Sequence, residues 1–257
     1  MALNKMSKFY YGHNVTSSNS KIDFNEGASD LVATLNVGDY SLTEYVAEVQ
    51  RALNDSGALT YTVSLDRDTR YITIAATGTF SLKAATGDNV SNAIWTLAGF
   101  AATDVSGAAT YTGTSGSGSS FTPQFFLQKY ISFDDQESAS YSSVNKSAGG
   151  TVEVVSFGTE YFMNCEIAYQ TDITQAAGSI IENDASGVSN LRTFMQYITK
   201  KRKIEFMPDR DTEATFHKCL LEATPSSGDG TGFVLNEYLG TLPGYFSTGT
   251  LRFRKVI

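Results

Sequence analysis

The sequence predicts an α+β protein, mainly antiparallel β, built as two β-rich domains that each pack one amphipathic helix. Three observations carry that expectation. Apolar and polar residues alternate with period two in several stretches, such as Leu59, Tyr61, Val63 and Leu65 against Thr60, Thr62 and Ser64. Two other stretches show helical spacing instead. Charged residues make up 18%, below the usual quarter, while glycine, serine, threonine and tyrosine are plentiful, a profile suited to short strands and tight turns.

In chain order, residues 1–20 are polar and aromatic without periodicity, and read as an extended arm anchored only by Phe9-Tyr10-Tyr11-Gly12. An α+β accessory module is expected over 21–111. Its first strands are Ile22-Asp23-Phe24 and Leu31 to Leu35, joined through Glu26-Gly27. The first helix starts at Ser41, whose hydroxyl can accept the N–H of Glu44 while the Glu44 carboxylate reaches back, a capping box. Leu42, Tyr45, Val46, Val49 and Leu53 share one face, Glu44, Glu48 and Arg51 take the others, and Asn54 to Gly57 end it. A hairpin follows, turning at Asp66-Arg67-Asp68-Thr69-Arg70 into Tyr71 to Ala75. Phe80 and Leu82 mark another short strand, and Asn92 to Phe100 a single helical turn closed by Gly99.

The Gly/Ser run from Thr112 to Pro123 reads as a flexible linker over 112–123, placing a second domain at 124–257. There, Asp134-Asp135-Gln136-Glu137 reads as an acidic turn, Thr151 to Val155 as a strand, and Tyr161 to Tyr169 as a long alternating strand. A helix near Ser186 carries Val188, Leu191, Phe194, Met195 and Ile198 on one stripe and closes on Lys200-Lys201-Arg202-Lys203. The helix passes directly into Ile204-Glu205-Phe206-Met207-Pro208, and strands near 216–223, 233–239 and 245–257 complete the domain, the last alternating Leu251 and Phe253 with Arg252 and Arg254.

Composition narrows function as well as fold. A net charge of −8, shared equally by residues 1–120 and 121–257, repels a phosphate backbone and argues against tight nucleic-acid binding. Two cysteines cannot make a disulfide scaffold. The first residues lack the apolar run of a signal peptide and no stretch reaches membrane-spanning length, so the expectation is synthesis in a reducing cytosol and no membrane partner.

No catalytic, cofactor or metal group emerges. His217 and Cys219 lie two apart on one strand face, where side chains run parallel and nothing orients the imidazole; His13 sits in the arm. The histidines are too far apart in sequence for a zinc signature. Asp66-Arg67-Asp68 and Asp209-Arg210-Asp211 read as turns, because aspartate caps turn N–H groups and calcium loops need more oxygen ligands. The Gly/Ser run lacks the Gly-Lys-Ser/Thr ending of a phosphate cradle.

Several stretches bear a family likeness. Ile22-Asp23-Phe24, Leu31 to Leu35, Gly38-Asp39-Tyr40-Ser41-Leu42 and Ile94 to Phe100 resemble a module of tailed-bacteriophage virion proteins. Phe206-Met207-Pro208-Asp209-Arg210-Asp211, Gly230-Thr231-Gly232-Phe233 and Leu242-Pro243-Gly244-Tyr245-Phe246 resemble the tube-like domains of phage tail and baseplate proteins. The resemblance implies a tail-tube-like second domain and a non-enzymatic structural protein without cofactors, assembled in the host cytoplasm into a virion tail. It implies a hexameric or trimeric ring of copies around a channel through which DNA passes without sticking, touching other tail or baseplate proteins. Phe9, Tyr10, Tyr11, Lys200, Lys201, Arg202, Lys203, Arg252 and Arg254 are the expected assembly residues. The alternatives are a receptor- or carbohydrate-binding adhesin, suggested by the tyrosines and Trp95, and a head-decoration or neck protein; a carboxylate-based hydrolase ranks lower.

Overall fold

A computed structural model describes residues 8–121, 131–138, 142–156, 160–168, 170–171, 174–176, 179–181, 188–207, 216–238 and 242–256. Its elements are β1 (Lys8–Tyr11), β2 (His13–Val15), β3 (Lys21–Asn25), β4 (Asp30–Thr34), β5 (Gly38–Tyr40), α1 (Leu42–Ser56), β6 (Tyr61–Leu65), β7 (Ile72–Leu82), α2 (Trp95–Ala98), β8 (Val105–Thr112) and β9 (Ser120–Phe121). There follow β10 (Ile131–Ser138), β11 (Ser142–Lys146), β12 (Val152–Ser156), β13 (Glu160–Ile167), β14 (Gln170–Thr171), β15 (Thr174–Ala176), β16 (Ser179–Ile181) and α3 (Val188–Ile198). The last are β17 (Ile204–Met207), β18 (His217–Ala223), β19 (Asn236–Tyr238), β20 (Leu242–Ser247) and β21 (Thr250–Lys255). Mainly antiparallel sheet with few helices is the class the sequence led us to expect.

The chain divides into two units: one comprises residues 10–120, and the other comprises 1–9 together with 121–257. The first unit is therefore inserted in sequence between Phe9 and Phe121.

In the inserted unit, β3 pairs with β4, and β7 carries β6 and β3 along one side and β8 along the other. Helix α1 forms where the sequence placed it. Glu44 N–H meets Ser41 Oγ at 3.4 Å and Ser41 N–H donates to Glu44 Oε2 at 2.9 Å, which satisfies two otherwise orphaned helix-end donors. Tyr45, Val49 and Leu53 are buried with Ile22, Phe24, Tyr61, Ile74 and Phe80 in one apolar core. Edge-to-face contacts run from Phe24 to Tyr61, Phe80 and Tyr111. Glu48, expected on the outer side, is buried because Arg51 Nε holds its carboxylate at 2.8 Å and Asn36 N–H donates to it at 2.6 Å. Replacing Ser41 by alanine should cost the unit about 1 kcal/mol, read as a lower urea midpoint. An unchanged midpoint would show that the box contributes nothing.

In the other unit, seven strands run in the order β10-β13-β21-β18-β17-β1-β9. Alternation puts Met163, Cys165, Ile167, Leu251 and Phe253 on the buried side, with Leu191, Phe194, Met195 and Ile198 of α3 also fully buried.

Three expectations need correction. Residues 8–11 are a strand of this sheet and not a loose arm; Phe9 is wholly buried, stacked on Phe206 at 4.5 Å and tilted against Phe194 at 4.7 Å. The acidic stretch 134–137 lies within β10, because eight residues of antiparallel pairing with β13 outweigh the turn preference of aspartate. The expected strand 245–257 is two strands: β20 pairs with β14 and β19, and the chain turns at Gly249, whose φ is +61°, before β21 joins the large sheet.

Candidate functional site

His13 and Ser117, distant in sequence, meet inside the inserted unit. His13 Nε2 lies 2.9 Å from Ser117 Oγ, and that hydroxyl lies 2.7 Å from the Leu97 carbonyl. A serine has one proton to donate. A carbonyl can only accept, so the Ser117 proton goes to Leu97 and His13 must donate from Nε2. The imidazole is neutral in that state. Burial, reinforced by the charge of Arg70, lowers its pKa from the ordinary 6.5 to about 4. The arrangement resembles a nucleophile and its base, yet its proton traffic runs the wrong way: the hydroxyl is committed to a carbonyl and fully buried. It is a structural clamp.

The clamp changes the reading of the Gly/Ser run. The Arg70 guanidinium donates to the Gly118 carbonyl at 2.5 Å, and Ser117 N–H donates to Arg70 O at 2.8 Å. Thr114 and Ser115 N–H groups both donate to Gly99 O, at 2.8 and 3.0 Å. Gly118 has φ +62°, and a Cβ there would sit 2.8 Å from His13 Cε1. Residues 113–118 are thus fastened to the inserted unit rather than hanging as a flexible connection. Glycine was chosen for close approach, which composition alone cannot distinguish from slackness.

The other chemical candidates resolve similarly. Cys219 is buried and its thiol is pushed well above the ordinary range by burial, as is that of Cys165, so neither offers a thiolate. Asp66 Oδ1 accepts from Asp68 N–H, Thr69 N–H and Thr69 Oγ1, the local turn expected of it. Asp209, Arg210 and Asp211 fall outside the described residues. A hollow of about 340 Å³ is lined by Glu26, Leu31 and Gly57, but the Glu26 carboxylate is taken up by the N–H groups of Ala58 and Leu59 and by Tyr61 Oη. Trp95 is 3% exposed, so it offers no stacking platform. Among the described residues no group of three or more metal-ligating side chains converges, and no helix is long and apolar enough to cross a membrane.

The expected assembly residues separate into three groups. Phe9 and Tyr10 are core residues of their own chain, Tyr10 Oη donating to Arg67 O at 2.7 Å; Tyr11 is half-buried, its N–H donating to Ser119 O. In the basic run, Lys200 is exposed and Arg202 and Lys203 are half-buried. Lys201 takes a left-handed φ of +58° beyond α3, and its ammonium caps the carbonyls of Leu221, Glu222 and Asp229. Two of those carbonyls flank the register shift between β18 and β21, where a bulge turns backbone acceptors away from the ladder. Lys201 therefore serves its own chain.

Arg252 and Arg254 lie on the polar side of β21, and both guanidinium groups sit over the ring of Phe162, at 4.0 and 5.3 Å. Arg254 also donates from Nε to Glu222 at 2.8 Å and pairs with Glu160. Phe162 was the residue missed: it occurs on the polar side of its strand's alternation, where an aromatic among Asn164 and Glu166 was the available signal. No known protein family and no characterised protein matches the chain.

Proposed function

We propose that this chain is a non-enzymatic structural protein of a tailed-phage particle, forming a ring in the tail or baseplate through the unit that contains its seven-stranded sheet. That unit is the one read as tail-tube-like, and the inserted unit would face neighbouring components. DNA would pass the acidic channel without adhering.

One observation carries the reading. Strands β11 and β12 form a hairpin that pairs with no third strand among the described residues, closed by an exposed turn over Ser147–Gly150. Two-stranded hairpins are marginal in water on their own, and this one leaves Val152 55% exposed. Such an exposed, two-stranded element is explained if a neighbouring copy covers it. The buried position of Trp95 removes one of the two features, beside the many tyrosines, that favoured a carbohydrate-binding adhesin.

The test is the mass of the protein in solution together with electron micrographs of it alone. Rings of six or three copies are expected, and Val152→Asp should weaken assembly about tenfold or more while leaving the melting temperature nearly unchanged. A monomer at high concentration would sink the reading, as would turnover of a substrate.

A further inference from the structure

We infer that Arg252 is a docking cation for a carboxylate-bearing segment of a second copy of this chain. The inference rests on the self-assembly reading above and names the contact that would drive it.

The argument begins with Phe162. By register it faces the same way as Asn164, Arg252 and Arg254, opposite to Met163 and Cys165, yet it is only 3% exposed. The two guanidinium groups lie over it, so an aromatic on a polar sheet face packs against both cations. The cations then differ. Arg254 has its donors engaged by Glu222 and Glu160, so its charge is answered within the chain. Arg252 is exposed, and among the side chains that the structure describes no carboxylate meets its guanidinium. With its Cζ 4.0 Å from the ring centroid the guanidinium is held beside Phe162 at the exposed face of the sheet, and its five N–H donors suit a carboxylate.

A second copy fits the charge. The chain has 27 acidic residues against 19 basic ones, so acids are abundant on any neighbouring copy. Among the described strands β10 is terminal in the same sheet, and its sequence includes Asp134, Asp135 and Glu137. An edge strand displays unpaired backbone groups that a neighbour can engage. A contact in which the β10 edge of one copy meets the β21 face of the next joins two different patches, and contacts of that kind build a ring where the rotation between copies closes and a filament where it does not.

The experiment compares wild type, Arg252→Glu and Arg252→Gln by sedimentation over a range of protein and salt concentrations, with melting temperature as the folding control. Wild type should assemble, and raising the salt should weaken assembly about tenfold. Arg252→Gln should weaken it by about tenfold and Arg252→Glu by about a hundredfold or more, since the latter turns attraction into repulsion. Melting temperatures should stay close to wild type; if the glutamate variant does not fold, the glutamine variant decides. Assembly of Arg252→Gln at wild-type concentrations would overturn the role of Arg252 and leave the ring reading standing. A wild-type chain that stays monomeric at every concentration would overturn both.

Discussion

Replacing Phe9 by alanine is expected to cost the seven-stranded unit about 3–5 kcal/mol, a large part of the stability of a domain this size. Phe9 is fully buried at the centre of an aromatic cluster, with ring centroids 4.5 Å from Phe206, 4.7 Å from Phe194 and 6.4 Å from Phe253. These rings belong to β1, β17, α3 and β21, so one truncation leaves a cavity shared by four elements, and a β-sheet framework cannot collapse to fill it. Chemical denaturation followed by far-ultraviolet circular dichroism should show an earlier transition for this unit. Had Phe9 been part of an arm lying on a neighbouring copy, the same substitution would lower assembly and leave the monomer's stability intact. The two outcomes separate a core residue from a contact residue.

Acidification should destabilise the inserted unit by about 3 kcal/mol between neutral pH and pH 4, through His13. The sign follows from which state binds the proton more readily. The unfolded chain takes it up near the ordinary value of 6.5, while the folded chain resists until about 4. The unfolded state therefore holds more protons in that window, so stability is complete above 6.5 and declines as pH falls towards 4. Protonation would place a cation in a buried site beside Arg70 and against the Tyr45 ring, 4.3 Å away. Unfolding free energies measured at intervals from pH 7 to 4.5 should slope by close to one proton, and His13→Gln should flatten that slope. An unchanged slope in the variant would assign the effect elsewhere.

How much of this could be read from residues alone depended on the distance over which each feature is determined. Helix α1 was legible because its cap, stripe and end lie within one short window, and Ser41 and Glu44 behave as that window requires. The β6–β7 hairpin and the alternation of β13 and β21 were legible for the same reason. Phe9 was not, because its partners Phe194, Phe206 and Phe253 lie far along the chain and nothing near residue 9 signals them. The Gly/Ser run misled because serine and glycine suit both slack chain and tightly fastened backbone. What decides between them is His13, Arg70 and Gly99, all distant in sequence. Lys201 lies beyond a helix end as the sequence indicates, but two of the carbonyls it caps, Leu221 and Glu222, lie at a register shift that no local pattern announces. Arg252 was marked by its alternation with Leu251 and Phe253; that it rests on Phe162 follows only from strand register.

The interruption of one unit by the other also bears on the order of events at the ribosome. Strand β1 leaves the exit tunnel before the inserted unit, but its neighbour β17 emerges only after the whole inserted unit and α3 have been made. During that interval the inserted unit has every residue of its own core and can fold, since domains fold as units during synthesis. Strand β1 must meanwhile wait, its Phe9 unburied, for a partner that is made only after the inserted unit is complete.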